Sequence, residues 1–329
     1  MGVRRELDKL LRESEKAVLD VMQDNLAFIA DGLIMKIMAK ERGLSNSKKL
    51  DAVKGITAPG LNKYKTDLLD VLTVVAYESL RHAKKEVPKA KFKLSEVDYN
   101  EIKFVENPTA KKLKGKAVKH KRIETMWRKL PPKVRRRIKL QQELLVKTQL
   151  SDLEKAIYFQ FGSSVERQEA LGLLEADMQD KALDFIEGPS VRAGGPLTAH
   201  QTITEARSSF FTDKEVEKEI EAFEFINEYP VNRTPICEEL NGRIFAKNDP
   251  DRFKFTPPLH FNCRSLILPI PNGKLKGRKI EKLKIKKSNE KYLQFSEKLK
   301  SFTEDQNAYD KITTSFTKTE PWKYSNDNS

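Results

Sequence analysis

Cysteine, histidine and long hydrophobic runs are all scarce in this chain. Its 329 residues include only two cysteines, Cys237 and Cys263, and four histidines. Two cysteines cannot build a disulfide framework, which indicates a protein made in a reducing compartment. The longest apolar runs, such as Leu72–Tyr77, are far too short to cross a bilayer. The N-terminal sequence MGVRRELDKLLRESEK lacks the apolar segment of a signal peptide, so we expect a soluble protein without a membrane segment.

The common catalytic motifs are missing as well. The sequence contains no P-loop, no G-x-G-x-x-G and no G-x-S-x-G. The H-x-E and P-C-x-x-C motifs of zinc deaminases are also absent. His82, His120 and His200 stand far from both cysteines in sequence. We therefore predict that the protein is not an enzyme, and the alternative is a metal-dependent nuclease or another nucleic-acid-modifying enzyme.

Positive charge is what the chain has in excess, and it is concentrated in two strips. Of the net charge of +14, the strip Lys111–Lys139 contributes fourteen Lys or Arg against one acid, and Gly273–Lys291 contributes nine against two. The rest of the chain is therefore net negative. Such clustering predicts non-specific contact with a polyanion, for which we expect double-stranded DNA. The candidate DNA-binding residues are Lys111, Lys112, Lys119, Lys121, Arg122, Arg128, Lys129, Arg135, Arg136, Arg137 and Lys139.

Apolar spacing predicts that the first part of the chain is mainly helical. A stripe at intervals of three, four or seven residues predicts one long helix over residues 3–42. A second helix is predicted between Pro59 and Pro88, and period-two alternation predicts a hairpin over residues 89–108. Later helices are predicted from Pro132, with a new N-cap at Ser151 and a break at residues 162–164, and over residues 171–187. The glycine-rich residues 188–196 are predicted to form a loop.

The C-terminal part has a different pattern. A short helix is predicted over residues 198–208, followed by strands over residues 219–227 and 265–270. The fold class is therefore α+β, with a mostly helical N-terminal region, a small C-terminal α+β domain with an antiparallel sheet, and a basic helical tail. The predicted domains are a helical hairpin region (1–110), a basic strip with helices (111–196), the α+β domain (197–271), and a tail (272–329). In the tail, a basic amphipathic helix begins near residue 280 and disorder begins near residue 303.

The stretch Arg233–Ser265 is predicted to form a folded knuckle with a possible metal site. Cys237, His260 and Cys263 are three candidate ligands, the last two at H-x-x-C spacing. Asn241–Gly242, between Cys237 and His260, predicts a tight turn, because both residues tolerate positive φ. Structural zinc normally takes four ligands, so a fourth would have to come from water or another residue. The alternative is that packing and hydrogen bonds hold the same turn without metal, with two buried reduced cysteines.

The same stretch resembles a known family. Its pattern R-T-x-x-C-x-x-L-x-G-x-[IV]-F, followed by P-P-L-H-x-N-C-R, is similar to the C-terminal signature of the phage Mu F-like head-morphogenesis proteins. The residues that carry the match are Arg233, Thr234, Cys237, Leu240, Gly242, Phe245, Pro257, Pro258, Leu259, His260, Asn262, Cys263 and Arg264. A weaker extension reaches back to Ala206–Arg207. The match covers about a fifth of the chain.

The resemblance implies a minor head protein of a tailed bacteriophage, associated with the portal vertex. Its implied partners are the portal protein and the major capsid or scaffold proteins, in the virion head interior and, during assembly, the host cytoplasm. Its implied roles are head morphogenesis and the packaging or ejection of the viral genome. Family members often have cysteines where Thr234 and Ser265 stand, and a four-cysteine zinc site is therefore incomplete here. A basic host nucleic-acid-binding protein is a further alternative.

Overall fold

The structure is a computed structural model in which part of the chain is described. The described residues are 2–41, 43–53, 56–92, 122–167, 171–227, 234–252, 254–257, 259, 263, 265–282 and 284–292. Several predictions lie outside the described residues. These are the hairpin beyond residue 92, residues 111–121 of the first basic strip, the tail helix beyond residue 292, and the disorder predicted from residue 303.

Helices and one small sheet make up the described part of the chain. The helices are α1 (Gly2–Glu41), α2 (Asn46–Val53), α3 (Leu61–Glu86), α4 (helical residues 122–129), α5 (Pro132–Glu166), α6 (Leu171–Ile186), α7 (Pro189–Phe211), α8 (Lys214–Glu217) and α9 (Pro235–Leu240). The strands are β1 (Ile220–Asn227), β2 (Ile244–Ala246) and β3 (Ser265–Pro271), and a 3₁₀ turn covers Lys287–Asn289. The protein is thus mostly helical with a small antiparallel sheet, which confirms the α+β class at this level.

The long N-terminal helix was predicted correctly and organises the bundle. The apolar stripe of α1, from Leu7 to Ile37, is buried, because residues three or four apart share one face of a helix. This face packs against α3, α6 and α7, and α5 closes the bundle against α3, α6 and α7. The helix predicted between Pro59 and Pro88 is α3, which begins after Gly60.

The loop predicted over residues 188–196 is wrong, because Gly188 is the N-cap of α7 and residues 189–196 form its first turns. Pro189 occupies the first turn of the helix, where its missing N–H leaves no hydrogen bond unmade. Gly195 is required by packing and not by a turn. A Cβ at this position would lie 2.9 Å from the Cα of Leu19, so only glycine lets α7 approach α1 this closely. The short helix predicted over residues 198–208 is therefore the second half of a longer one.

The predicted interruptions of α5 are also wrong. The helix continues through Ser151 and through residues 162–164 to Glu166. Ser164 stays helical because its side chain is used elsewhere: the hydroxyl is buried and donates to Asp177 Oδ2 of α6 at 3.2 Å. Gln160 Nε2 donates to the same carboxylate at 3.2 Å. These polar residues join two helices and do not end one.

The sheet has the order β2-β1-β3, with both pairs antiparallel. This confirms the strands predicted over residues 219–227 and 265–270. On one face of β1, Phe223 pairs with Phe245 of β2 and joins the main core. On the other face, a small apolar cluster forms between the three strands, and a residue that follows β3 covers it. Its members are Ala222, Ile244, Ile270 and the covering Leu275.

The basic helix predicted from Ile280 does not form over residues 278–282 and 284–286, which are irregular. The backbone bonds to the sheet here: the N–H of Glu281 donates to the carbonyl of Ile244 at 2.7 Å. Ile285 packs against the main core. Tertiary contacts therefore override the helical spacing of the apolar residues in this segment.

One buried core extends through the bundle and the sheet. It includes residues of α1, α3, α5, α6 and α7 together with Phe223, Phe225 and Leu266 of the strands. The predicted boundary between residues 196 and 197 falls inside α7. The sheet contacts the bundle through β3 and α3, and Cys237 and Cys263 of the predicted knuckle belong to the same core.

Candidate functional site

Cys237 and Cys263 lie side by side in the core. Cys237 is in the first turn of α9, and Cys263 is two residues before β3. Their Sγ atoms are 3.8 Å apart, and the two residues are 2% and 0% exposed. This is a contact between reduced thiols, since a disulfide would hold the sulfurs about 2.05 Å apart. The structure therefore brings together both cysteines of the predicted knuckle.

The predicted turn at Asn241–Gly242 is confirmed, and it fixes α9 beside the sheet. Gly242 has φ of 80°, a left-handed conformation that favours glycine. Its N–H donates to the carbonyl of Phe225 at 2.8 Å. The side-chain carbonyl of Asn241 accepts from the N–H of Asn227 at 2.8 Å. These bonds attach the turn to the end of β1, so α9 has a fixed position.

The surroundings of the thiol pair keep it protonated. A hydrogen bond with Cys263 and burial of the site raise the pKa of Cys237 far above its ordinary value. The hydroxyls of Ser265 and Thr234, both buried, act in the opposite direction but offset only part of this effect. We call these four residues the thiol cluster. They occupy the four positions at which the resembling family often has cysteine.

The described part of the thiol cluster does not make a complete zinc site. Structural zinc takes four Cys, His or carboxylate ligands, and the cluster supplies two thiols and two hydroxyls. Within the described ranges, no group of three or more His, Cys, Asp or Glu side chains is placed to share a metal ion. His260, the third predicted ligand, lies outside the described residues. Packing and hydrogen bonds account for the geometry that is described.

The other described motif residues belong to the core, except Gly242, which is exposed in its turn. Leu240, Phe245, Pro257 and Leu259 are all buried. The motif residues outside the described part of the chain are Arg233, Pro258, His260, Asn262 and Arg264. The described part of the motif is therefore a folding unit around the thiol cluster.

A buried charged group joins the bundle to the sheet. Arg207 of α7 donates to both carboxylate oxygens of Glu86 on α3, at 2.6 and 2.8 Å, with side chains 2% and 4% exposed. Arg207 also donates to the carbonyl of Ile267 on β3 at 3.1 Å. His82 Nδ1 lies 2.8 Å from Glu86 Oε1. Two helices and the sheet therefore meet at one ion pair.

This group was missed by sequence reasoning. His82 and Glu86 are four residues apart on α3, a spacing that places them on one face and was available as a signal. Their partner Arg207 is 121 residues away, and nothing in the sequence indicates that contact. Burial alone would raise the pKa of Glu86, but the charge of Arg207 and the hydrogen bonds of His82 and Arg207 outweigh it and hold the pKa below its ordinary value.

The first basic strip is partly occupied by structural contacts. Arg137 of α5 pairs with Glu205 of α7 at 3.0 Å, and Arg128 pairs with Glu124 one turn away. Trp127 packs against the core and so attaches this strip to the fold. The remaining candidates divide by exposure: Arg136 and Lys139 are exposed, Arg122, Lys129 and Arg135 are half-buried, and Lys111, Lys112, Lys119 and Lys121 lie outside the described residues.

The second basic strip has a different setting. We call residues 274–291, of which all but Leu283 are described, the basic strap. All nine of its Lys and Arg side chains are exposed, and they are Lys274, Lys276, Arg278, Lys279, Lys282, Lys284, Lys286, Lys287 and Lys291. Positive charge that the sequence distributes over two strips is thus most accessible on the strap.

Comparison of the chain with known protein families, with curated proteins and with solved structures returned no match. No helix in the described part of the chain has the length and apolar character needed to cross a membrane. The geometry of the thiol cluster and the basic surfaces therefore carries the functional argument.

Proposed function

We propose that this chain is a minor head protein of a tailed bacteriophage or prophage. In this proposal it is associated with the portal vertex, has a structural and not a catalytic role, and acts in head morphogenesis and in DNA packaging or delivery. One observation carries the proposal: the described residues of the Mu F-like motif, apart from the exposed turn residue Gly242, are buried in one unit around the thiol cluster. The buried positions of these residues are consistent with a motif that is kept for its fold, and this supports the resemblance.

Docking on the portal or capsid is supported by the exposed face of α1. Phe28 and Met35 are 52% and 68% exposed, and their spacing of seven residues places them on one side of the helix. Large exposed apolar side chains on one helix face are typical of surfaces that bury themselves on a partner. The N-terminal helical region is therefore the part that we assign to docking.

The test is incorporation into head particles. The chain is co-expressed with the portal, scaffold and major capsid proteins of a tailed phage that encodes it, and purified particles are assayed for its presence. We expect the wild-type chain in the particles, and we expect Met35→Glu to reduce its incorporation several-fold. Phe159→Glu is the matched control, because Phe159 is a comparably exposed residue (75%) on α5. Absence of the wild-type chain from purified particles would refute the proposal.

The DNA contact is the second part of the proposal. Non-specific binding to phosphates needs accessible cations and no base-reading side chains. The exposed cations of the basic strap and of the outer face of α5 meet that need. Duplexes of unrelated sequence should bind equally well, and affinity should fall steeply with salt. Strong preference for one sequence would contradict this part.

A further inference from the structure

The basic strap has an inward side and an outward side. Ile285 packs against the main core, while Lys284 and Lys286 on either side of it are exposed, as is Lys282. In an extended chain, alternate residues lie on one side and are about 6.6 Å apart. Lysines at regular intervals along the outward side can therefore contact a row of phosphates on a DNA backbone.

The middle of the strap is held along the sheet. Leu275 covers the small apolar cluster on the outer face of the strands. Arg278 pairs with Glu224 of β1 at 3.0 Å. The N–H of Glu281 donates to the carbonyl of Ile244, at the edge of the sheet that β2 forms. The strap thus crosses the sheet and reaches the edge strand.

The end of the strap is held by one carboxylate. Glu239 of α9 accepts from the backbone N–H of Lys286 at 2.9 Å and from Asn289 Nδ2 at 2.6 Å. Arg243 lies 3.8 Å from the same carboxylate and donates to the carbonyl of Lys284 at 2.8 Å. Glu239 therefore binds the strap backbone, and its carboxylate interacts with that backbone and with Arg243.

The lysine ammonium groups of this part of the strap point away from the contacts that hold its backbone. In the part of the chain that the structure describes, no carboxylate pairs with Lys282, Lys284 or Lys286. Like charges held at fixed spacing repel one another, so the arrangement is stabilised by an external polyanion. Fixed spacing also lowers the entropy lost when that polyanion binds.

We propose that the basic strap is the surface that binds the phosphate backbone of double-stranded DNA, and that Glu239 is a positioning residue that holds the strap for binding. This inference rests on the DNA contact in the proposed function. It assigns that contact to residues 274–291 instead of to the first basic strip. It also means that an acidic residue, Glu239, favours the binding of a polyanion.

The experiment measures binding of the full chain to a short fluorescent duplex of mixed sequence. Glu239→Ala adds one unit of positive charge, so simple charge counting predicts tighter binding. Our account predicts the reverse, a loss of about fivefold or more, because the lysines must now be ordered during binding. Asn289→Ala removes one of the two bonds without any change of charge, and it should weaken binding to a smaller extent.

The matched control is Glu238→Ala, since Glu238 is the neighbouring, exposed carboxylate and changes the charge equally. Its affinity should equal or slightly exceed that of the wild type. Hydrogen exchange of the Lys286 amide gives the second readout: it should accelerate in Glu239→Ala and stay unchanged in Glu238→Ala, with the rest of the fold protected.

The outcomes separate this inference from the proposed function. If Glu239→Ala accelerates exchange but binds DNA as tightly as Glu238→Ala, the positioning role is refuted while the DNA contact stands. If exchange at Lys286 does not change, the bond to Glu239 does not hold the strap, and the inference also fails. If the wild-type chain binds no duplex, the DNA contact in the proposed function is itself refuted.

Discussion

The two basic strips of this chain are similar in sequence and different in structure. Each is dense in Lys and Arg with few acids. The described part of the first strip lies on α4 and α5, where Arg137 pairs with Glu205 of another helix and Arg135 is half-buried. The strap lies across the sheet with all its cations exposed.

This difference shows that the number of charged residues in a stretch of sequence does not predict how many of those charges are accessible to a partner. A cation on an amphipathic helix can be placed by the helical repeat against a neighbouring helix, where a carboxylate meets it. A cation in an extended segment has its neighbours on the opposite side, so alternate side chains stay outside. Cations of the first kind stabilise the fold, whereas cations of the second kind are available to a partner.

The largest effect is expected at the most deeply buried cation. Arg207→Ala leaves the carboxylate of Glu86 buried without its charged partner, which typically costs about 3–5 kcal/mol. Lys284→Ala on the strap should change the free energy of unfolding by less than about 0.5 kcal/mol. Denaturant unfolding followed by circular dichroism measures both. If the two variants are equally stable, the proposed difference between cations that stabilise the fold and cations that are available to a partner is wrong.

Acid should selectively weaken the same ion pair. The pKa of Glu86 is below its ordinary value of 4.5 in the folded protein. A carboxyl of this kind contributes stability above its unfolded pKa, and that contribution is lost as pH falls through the folded pKa. We therefore expect the stability difference between the wild type and Glu86→Gln to shrink below about pH 4.5. A difference that stays constant from pH 6 to about pH 3 would contradict the charged pair.

Two adjacent arginines of α5 sharpen the comparison on one helix. Arg137→Ala breaks the half-buried pair with Glu205 and should cost about 1 kcal/mol. Arg136→Ala changes an exposed residue of the same type and should cost less than about 0.5 kcal/mol. Thermal unfolding of the two variants is the measurement. A larger loss for Arg136→Ala would mean that the exposed cation has the structural role.

The smallest effect is expected from removing metal. The described thiol cluster is held by packing and hydrogen bonds, so a chelator should leave the melting temperature unchanged, and elemental analysis should find no stoichiometric zinc. Metal binding is coupled to folding in structural zinc sites, so a bound ion would show in both measurements. One equivalent of zinc, lost together with stability on chelation, would show that His260 or another ligand completes the site.

Sequence reasoning succeeded where local pattern and tertiary structure agree. The stripe of α1 and the β-branched and aromatic runs of β1 and β3 are each determined within a few neighbouring residues. The turn at Asn241–Gly242 was predictable because Asn-Gly is a turn sequence, and Gly242 adopts its left-handed backbone conformation without strain. The proximity of Cys237 and Cys263 could be expected from the motif that contains both.

Sequence reasoning failed where residues distant in the sequence determine the local structure. In the sequence, Gly195 predicts a loop. In the structure it is a helical residue whose missing side chain lets α7 pack closely against Leu19 of α1. Ile280 and Leu283 have helical spacing in the sequence, but the edge of the sheet binds the backbone of the neighbouring Glu281 instead. The partners of Arg137 and Arg207 are 68 and 121 residues away, so their burial could not be read from local charge.

The salt dependence of DNA binding tests the central claim most directly. Two triple variants, Lys282→Gln/Lys284→Gln/Lys286→Gln and Arg135→Gln/Arg136→Gln/Arg137→Gln, remove the same number of charges from the two strips. The logarithm of the binding constant falls with the logarithm of salt concentration by about 0.9 per phosphate contact. We predict that the strap variant lowers this slope by about two to three units and the α5 variant by about one or less. A larger loss of slope in the α5 variant would contradict the assignment of DNA binding to the strap.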